Sequence, residues 1–143
     1  MNNTMKIARG IAALILLVII GYFTYKYIIR ENFSAPPTVH FTFFYMPGCP
    51  HCEAVDKSED KEPGEKSEWD TFLELAKAEK TVNIVAKKVD GTNHSDPDVV
   101  KNKAYIKGFP TFVMSKSEDD SKPYEGKRTA VDFIAGIKAY ANQ

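Results

Sequence analysis

The chain has 143 residues, room for one domain with a modest core. Nineteen lysines and arginines balance nineteen aspartates and glutamates, and no basic stripe interleaved with aromatics stands out, so nucleic acid is not an expected partner. Two cysteines are too few for a multiply stapled secreted scaffold, or for a four-cysteine zinc site within one chain.

The first element in chain order is an apolar run. Residues 10–25, "GIAALILLVIIGYFTY", carry no charge, and Tyr27, Ile28 and Ile29 extend the run if Lys26 snorkels to an interface. We read 1–10 as a short N-terminal segment and 11–29 as a transmembrane signal anchor. A cleaved signal would end in small residues, whereas this run ends Gly-Tyr-Phe-Thr-Tyr. A helix apolar all round would otherwise need protein on every side, more than so small a chain supplies. Tyr22, Phe23, Tyr25 and Tyr27 gather at its end like an interfacial belt. The free amine and Glu31 tip a nearly even count of flanking cations towards an exported domain. The expected localisation is a single-pass membrane protein whose domain faces the endoplasmic reticulum lumen, the periplasm or the outside.

Residues 30–38 hold Pro36-Pro37 and read as a short stiff linker, with the folded domain over 39–142. "VHFTFFY" (39–45) predicts a strand buried on both faces. A helix is expected to start at the cysteines, and the charged 57–68 stretch, with Pro63 and Gly64, is a solvated loop. Over 67–80, Ser67 and Asp70 have capping-box spacing, and Trp69, Phe72, Leu73 and Ala76 share a helical face. A second strand (82–90), a short helix (98–106), a third strand (110–115), an edge strand (123–126) and a closing helix (129–141) complete an α/β order of βαβαββα.

Cys49 and Cys52, in "YMPGCPHC", admit three uses: staple, metal ligand or redox couple. A two-residue loop removes little unfolded-chain entropy, which argues against a staple. A metal would need a fourth ligand from His40, on the first strand, or His94, in a distant loop, so no metal and no other cofactor is expected. At the first turn of a helix, Cys49 would sit among unpaired backbone N–H groups that favour thiolate, while Cys52 lies on the same face three residues on. Pro50 suits that first turn, and a His51 imidazolium would further stabilise the thiolate. We therefore expect Cys49 exposed and reactive, and Cys52 more sheltered.

The segments "FFYMPGCPHC", "VAKKVDGT", "IKGFPTF" and "YEGKR" together resemble a thioredoxin-fold domain of the protein disulfide isomerase type, over about residues 39–142. The resemblance implies a minimal thioredoxin fold with a four-stranded mixed sheet and flanking helices, lacking the first strand and helix of a full thioredoxin. It also implies a disulfide oxidoreductase or isomerase acting on cysteine-bearing protein substrates, with Cys49 and Cys52 catalytic. Pro110 matches a cis proline beside the cysteines and, with Phe109, would shape a substrate groove. Pro50-His51 is similar to the dipeptide of bacterial periplasmic oxidases and implies an oxidising poise. Arg128 matches an arginine that helps the second cysteine ionise, or is simply a surface arginine near a helix start. The family's buried acid is replaced by Phe43, which would leave Lys88 without its partner. Two further readings stand beside this one: a tethered polypeptide-binding module or chaperone, and a reductant fed by a membrane redox partner.

Overall fold

The computed structural model describes residues 3–32, 35–57 and 65–143, with the side chains of the N-terminal helix described over 11–27. It comprises two compact units, Met1–Ala35 and Pro36–Gln143. The charged stretch expected to be a loop falls largely at 58–64, outside the described residues.

The first unit is one helix, α1 (Asn3–Asn32). Its apolar run has no β-rich alternation and no proline, and Leu14, Leu16, Leu17 and Val18 are all largely exposed. The Thr24 hydroxyl donates to the Ile20 and Gly21 carbonyls, so this side chain adds no unpaired polar group. Among the described residues no helix is long and apolar enough to cross a membrane. Ile28 and Ile29, which the expected 11–29 span requires, have side chains outside the described set.

The second unit runs β1 (Thr38–Tyr45), α2 (Pro50–Asp56), α3 (Glu68–Ala78), β2 (Asn83–Asp90), α4 (Pro97–Asn102), β3 (Thr111–Ser115), β4 (Ser121–Pro123) and α5 (Ala130–Ala141). The sheet order is β2-β1-β3-β4, with β1 parallel to β2 and antiparallel to β3. This is a thioredoxin-like α/β fold, a four-stranded mixed sheet with flanking helices.

The centre of the sheet is the strand whose phenylalanines mark it in the sequence. Val39, Phe41 and Phe43 point to one face and are fully buried against α2, α3 and α5, through Cys52, Val55, Trp69, Phe72, Phe133 and Ile137. Phe44 points the other way, into a smaller cluster with Val89, Val99 and Val113. Strand alternation divides these side chains between the two faces, and burial of both explains the missing polar alternation. The Phe41 ring lies 5.1–6.2 Å from the rings of Trp69, Phe72, Phe112, Tyr124 and Phe133, so the larger core is an aromatic cluster.

Two expected elements differ. The helix expected over 98–106 is α4, Pro97–Asn102: Asp96 caps it from outside and Pro97 opens it. It stops at Asn102 because the chain tightens there, with Tyr105 N–H donating to the Asn102 carbonyl and the Tyr105 hydroxyl reaching Ser121 O at 2.9 Å. The edge strand expected over 123–126 is Ser121–Pro123 instead. Lys116 N–H donates to Asp120 O and closes the hairpin early, placing Ser121 opposite Ser115 and Pro123 opposite Val113. Tyr124 still donates its N–H to Phe112 O at 2.9 Å, and its ring covers Phe41 and Phe133.

Candidate active site

β1 delivers the chain to the sheet's end, where Met46, Pro47, Gly48 and Cys49 form a turn. Cys49 N–H donates to Met46 O at 3.2 Å, and Gly48 has φ +71°, as a type II turn with proline second and glycine third demands. Cys49 is thereby the N-cap of α2, and Pro50 occupies the first helical position without costing a hydrogen bond. Cys52 and Glu53 donate their backbone N–H groups to the Cys49 carbonyl at 3.0 Å, which locks the first turn.

Both cysteines are free thiols, and both are buried: Cys49 is 5% exposed and Cys52 2%. The expectation of an exposed Cys49 is thus corrected. The loop before β3 leans on it, with the Phe109 carbonyl 3.9 Å from Cys49 Sγ. The sulfurs are nevertheless unequal. The backbone N–H of Cys52 holds Cys49 below the ordinary thiol range, helped by the Cys52 thiol and the His51 N–H, while burial and Glu53 oppose. Burial pushes Cys52 up to about 11, and its bond to Cys49 adds to this; the Met46 N–H and the Arg128 guanidinium pull it back. A low first thiol and a high second one is the division that the helix terminus predicts.

His51 is exposed, and what it gives Cys49 in this geometry is its backbone N–H. Arg128, an exposed residue just before α5, is close enough for its charge to act on Cys52. The Phe109–Pro110 peptide is cis, Pro110 is buried and Phe109 is half-buried between the two apolar clusters. Gly91 makes room for Phe109: a Cβ there would come within 2.2 Å of the ring. Sequence reasoning passed over Gly91, although a glycine directly after a strand signals a close approach.

Phe43 is fully buried against Trp69, Tyr45 and Phe112, so no carboxylate lies under Cys52 from this strand. Lys88 is not without a partner, as had been expected. Its Nζ lies 2.6 Å from Asp56 Oδ2 and 5.3 Å from the Tyr45 ring centre. Asp56 was missed because it matters only once α2 is laid against β2; its signal was the one-turn spacing from Cys52. Among the described residues no group of three or more histidine, cysteine or acidic side chains gathers to hold a metal.

No protein-family model matches the chain. Protein disulfide-isomerase A3 of Gallus gallus is 32% identical over 122 residues, 81% of this chain and 21% of that protein. A protein disulfide-isomerase of Aspergillus niger is 27% identical over 105 residues, 73% of this chain and 17% of its own length. The chain therefore spans about a fifth of the length of these curated relatives. Among solved structures, the first two thioredoxin domains of Saccharomyces cerevisiae Eps1p match with a TM-score of 0.51 and 23% identity, over 79% of this chain and 38% of that one. Over most of its length the chain is therefore similar to part of these protein disulfide isomerases, and it shares the fold of the Eps1p thioredoxin domains.

Proposed function

We propose that this chain is a membrane-tethered thiol-disulfide oxidoreductase that oxidises or isomerises cysteines of protein substrates. One observation carries the reading: Cys49 is the N-cap of α2 with its thiolate favoured, and Cys52 is a sheltered, high-pKa partner one turn on. In the oxidised pair, a substrate thiolate attacks Cys49 Sγ and Cys52 leaves. A second substrate thiolate then attacks the substrate sulfur of the mixed disulfide and displaces Cys49. That last step is favoured because a thiol of low pKa is a good leaving group. In the reverse sense, Cys49 attacks a substrate disulfide and Cys52 resolves the intermediate after losing its proton. Arg128 and the Met46 N–H stabilise that second thiolate, and Phe109 with Pro110 lines the site where substrate meets Cys49.

The test is insulin reduction and refolding of reduced ribonuclease with the full chain. Turnover that vanishes in Cys49→Ser supports the enzyme; turnover no greater than that variant's would sink it. The equilibrium potential against glutathione sets the direction. A value near about −120 mV fits an oxidant, and one near about −270 mV a reductant fed by a membrane partner.

A second reading is favoured by Phe43. With an apolar ring where an acid could have taken its proton, Cys52 resolves slowly, and the domain would hold clients as mixed disulfides rather than turn them over. Long-lived mixed disulfides in the wild-type chain, at the level seen in Cys52→Ser, would favour it.

The tether reading rests on α1, whose apolar residues 14–20 are exposed around the whole helix. Its domain would face an exported compartment. Carbonate extraction checks this: a chain released into the supernatant would exclude the anchor.

A further inference from the structure

β2 is at the margin of the sheet, paired on one side only among the described residues. Asn83 N–H donates to Pro37 O at 2.9 Å and Gly91 N–H to Tyr45 O at 2.8 Å, both towards β1. Strand alternation then turns the N–H and C=O groups of Ile84, Ala86 and Lys88 outwards, a ladder without a partner strand. Along this edge runs a groove of about 470 Å³, walled by Leu73, Ala76 and Lys77 of α3 and floored by Ile84, Val85 and Ala86. Val85 is 40% exposed, and Leu73, Ala76, Ile84 and Ala86 are only half-buried.

The groove has a charge as well as a shape. Two charged side chains line it, Lys77 and Glu79. Glu79 is already engaged, accepting from Lys138 Nζ at 3.1 Å and from Thr81. Lys77 is exposed and makes no ion pair among the described residues, so with Glu79 paired to Lys138 it is the lining charge left to meet a ligand. The cysteines lie on α2 and its cap, and neither of them lines the groove.

We propose that the β2 edge is a polypeptide-docking site, separate from the cysteine pair, that takes an extended segment alternating apolar and acidic residues. The segment adds a strand to the sheet through the outward groups of Ile84, Ala86 and Lys88. Its apolar side chains enter the Leu73–Ala76 wall, and its carboxylate meets Lys77. Binding there is independent of the redox state of Cys49.

The test measures fluorescence anisotropy of two labelled octapeptides, alternating valine–glutamate and alternating valine–lysine, against the purified full chain. The acidic peptide binds saturably and the basic one about tenfold more weakly, a difference of about 1.4 kcal/mol. Ala86→Pro removes one outward N–H without touching the bonds to β1, and weakens the acidic peptide about tenfold. Lys77→Glu, an exposed change that leaves the fold intact, reverses the preference between the peptides. Cys49→Ser leaves both affinities unchanged, and Ala86→Pro leaves insulin reduction unchanged, so this inference and the redox reading fail separately. Equal binding of the two peptides, no binding, or a preference untouched by Lys77→Glu overturns the proposal. So does a chain that sediments as a dimer and becomes a monomer in Ala86→Pro, because the edge is then covered by a second copy.

Discussion

At the scale of single residues, the two sulfurs differ because one backbone feature treats them differently. Cys49 faces the backbone N–H groups of Cys52 and His51 at the start of α2, and Cys52 is one turn deeper, where burial dominates. In Cys52→Ala, which keeps the decisive N–H, iodoacetamide modification of Cys49 will have its pH midpoint below 9.0, and in Cys49→Ala that of Cys52 will lie well above it. Replacing Arg128 by glutamine removes a cation that acts on Cys52, so its midpoint rises further and resolution of mixed disulfides slows. Glu79 makes a different test. Its carboxylate accepts from the backbone and hydroxyl of Thr81, from Lys138 and from Lys80 N–H, which holds it at about 2 against an ordinary 4.5. A carboxylate depressed by folding adds stability that is complete above its unfolded value and drains as pH falls from 4.5 towards 2. Glu79→Gln will therefore lower the Tm at pH 7 and leave it almost unchanged near pH 2, as read by circular dichroism.

At the scale of elements, the short helices hold their places through caps and contacts rather than length. Helix α2 has seven residues, too few to persist alone, and is fixed by Cys52 and Val55 in the core and by the Asp56–Lys88 pair to β2. Helix α3 begins at Ser67, whose hydroxyl oxygen accepts from Asp70 N–H at 3.0 Å and whose O–H donates to the Asp70 carboxylate at 2.8 Å. Glu68, in its first turn, also accepts from Ala130 N–H at 2.8 Å and so ties the start of α3 to the start of α5. Ser67→Ala will cost about 1 kcal/mol, measured by urea unfolding, since it deprives one buried helix end of its acceptor. The cap was legible in the sequence because it needs only residues three apart. The true bounds of α4 and β4 were not, because the Tyr105 contact with Ser121 and the hairpin closed by Lys116 and Asp120 set them through residues that only the fold brings together.

At the scale of the whole domain, the aromatic core and the site are one structure. Phe41 stacks on Phe112 and meets Trp69 and Phe72, while Phe43, two residues on, is buried in the same cluster as the cysteines. Phe41→Ala will cost about 3–5 kcal/mol, a large share of the stability of a domain this size. It will be seen as a lower urea midpoint and as faster alkylation of the otherwise buried Cys52. Strand alternation, helical spacing, the Ser67 cap and the cysteine pair before Pro110 were readable from the sequence, because each is a pattern within a few residues or along one strand. The burial of Cys49, the Asp56 partner of Lys88, the seat that Gly91 makes for Phe109 and the open edge of β2 were decided only by tertiary structure. Each depends on which residues from distant segments are brought into contact, and spacing along the chain does not carry that information.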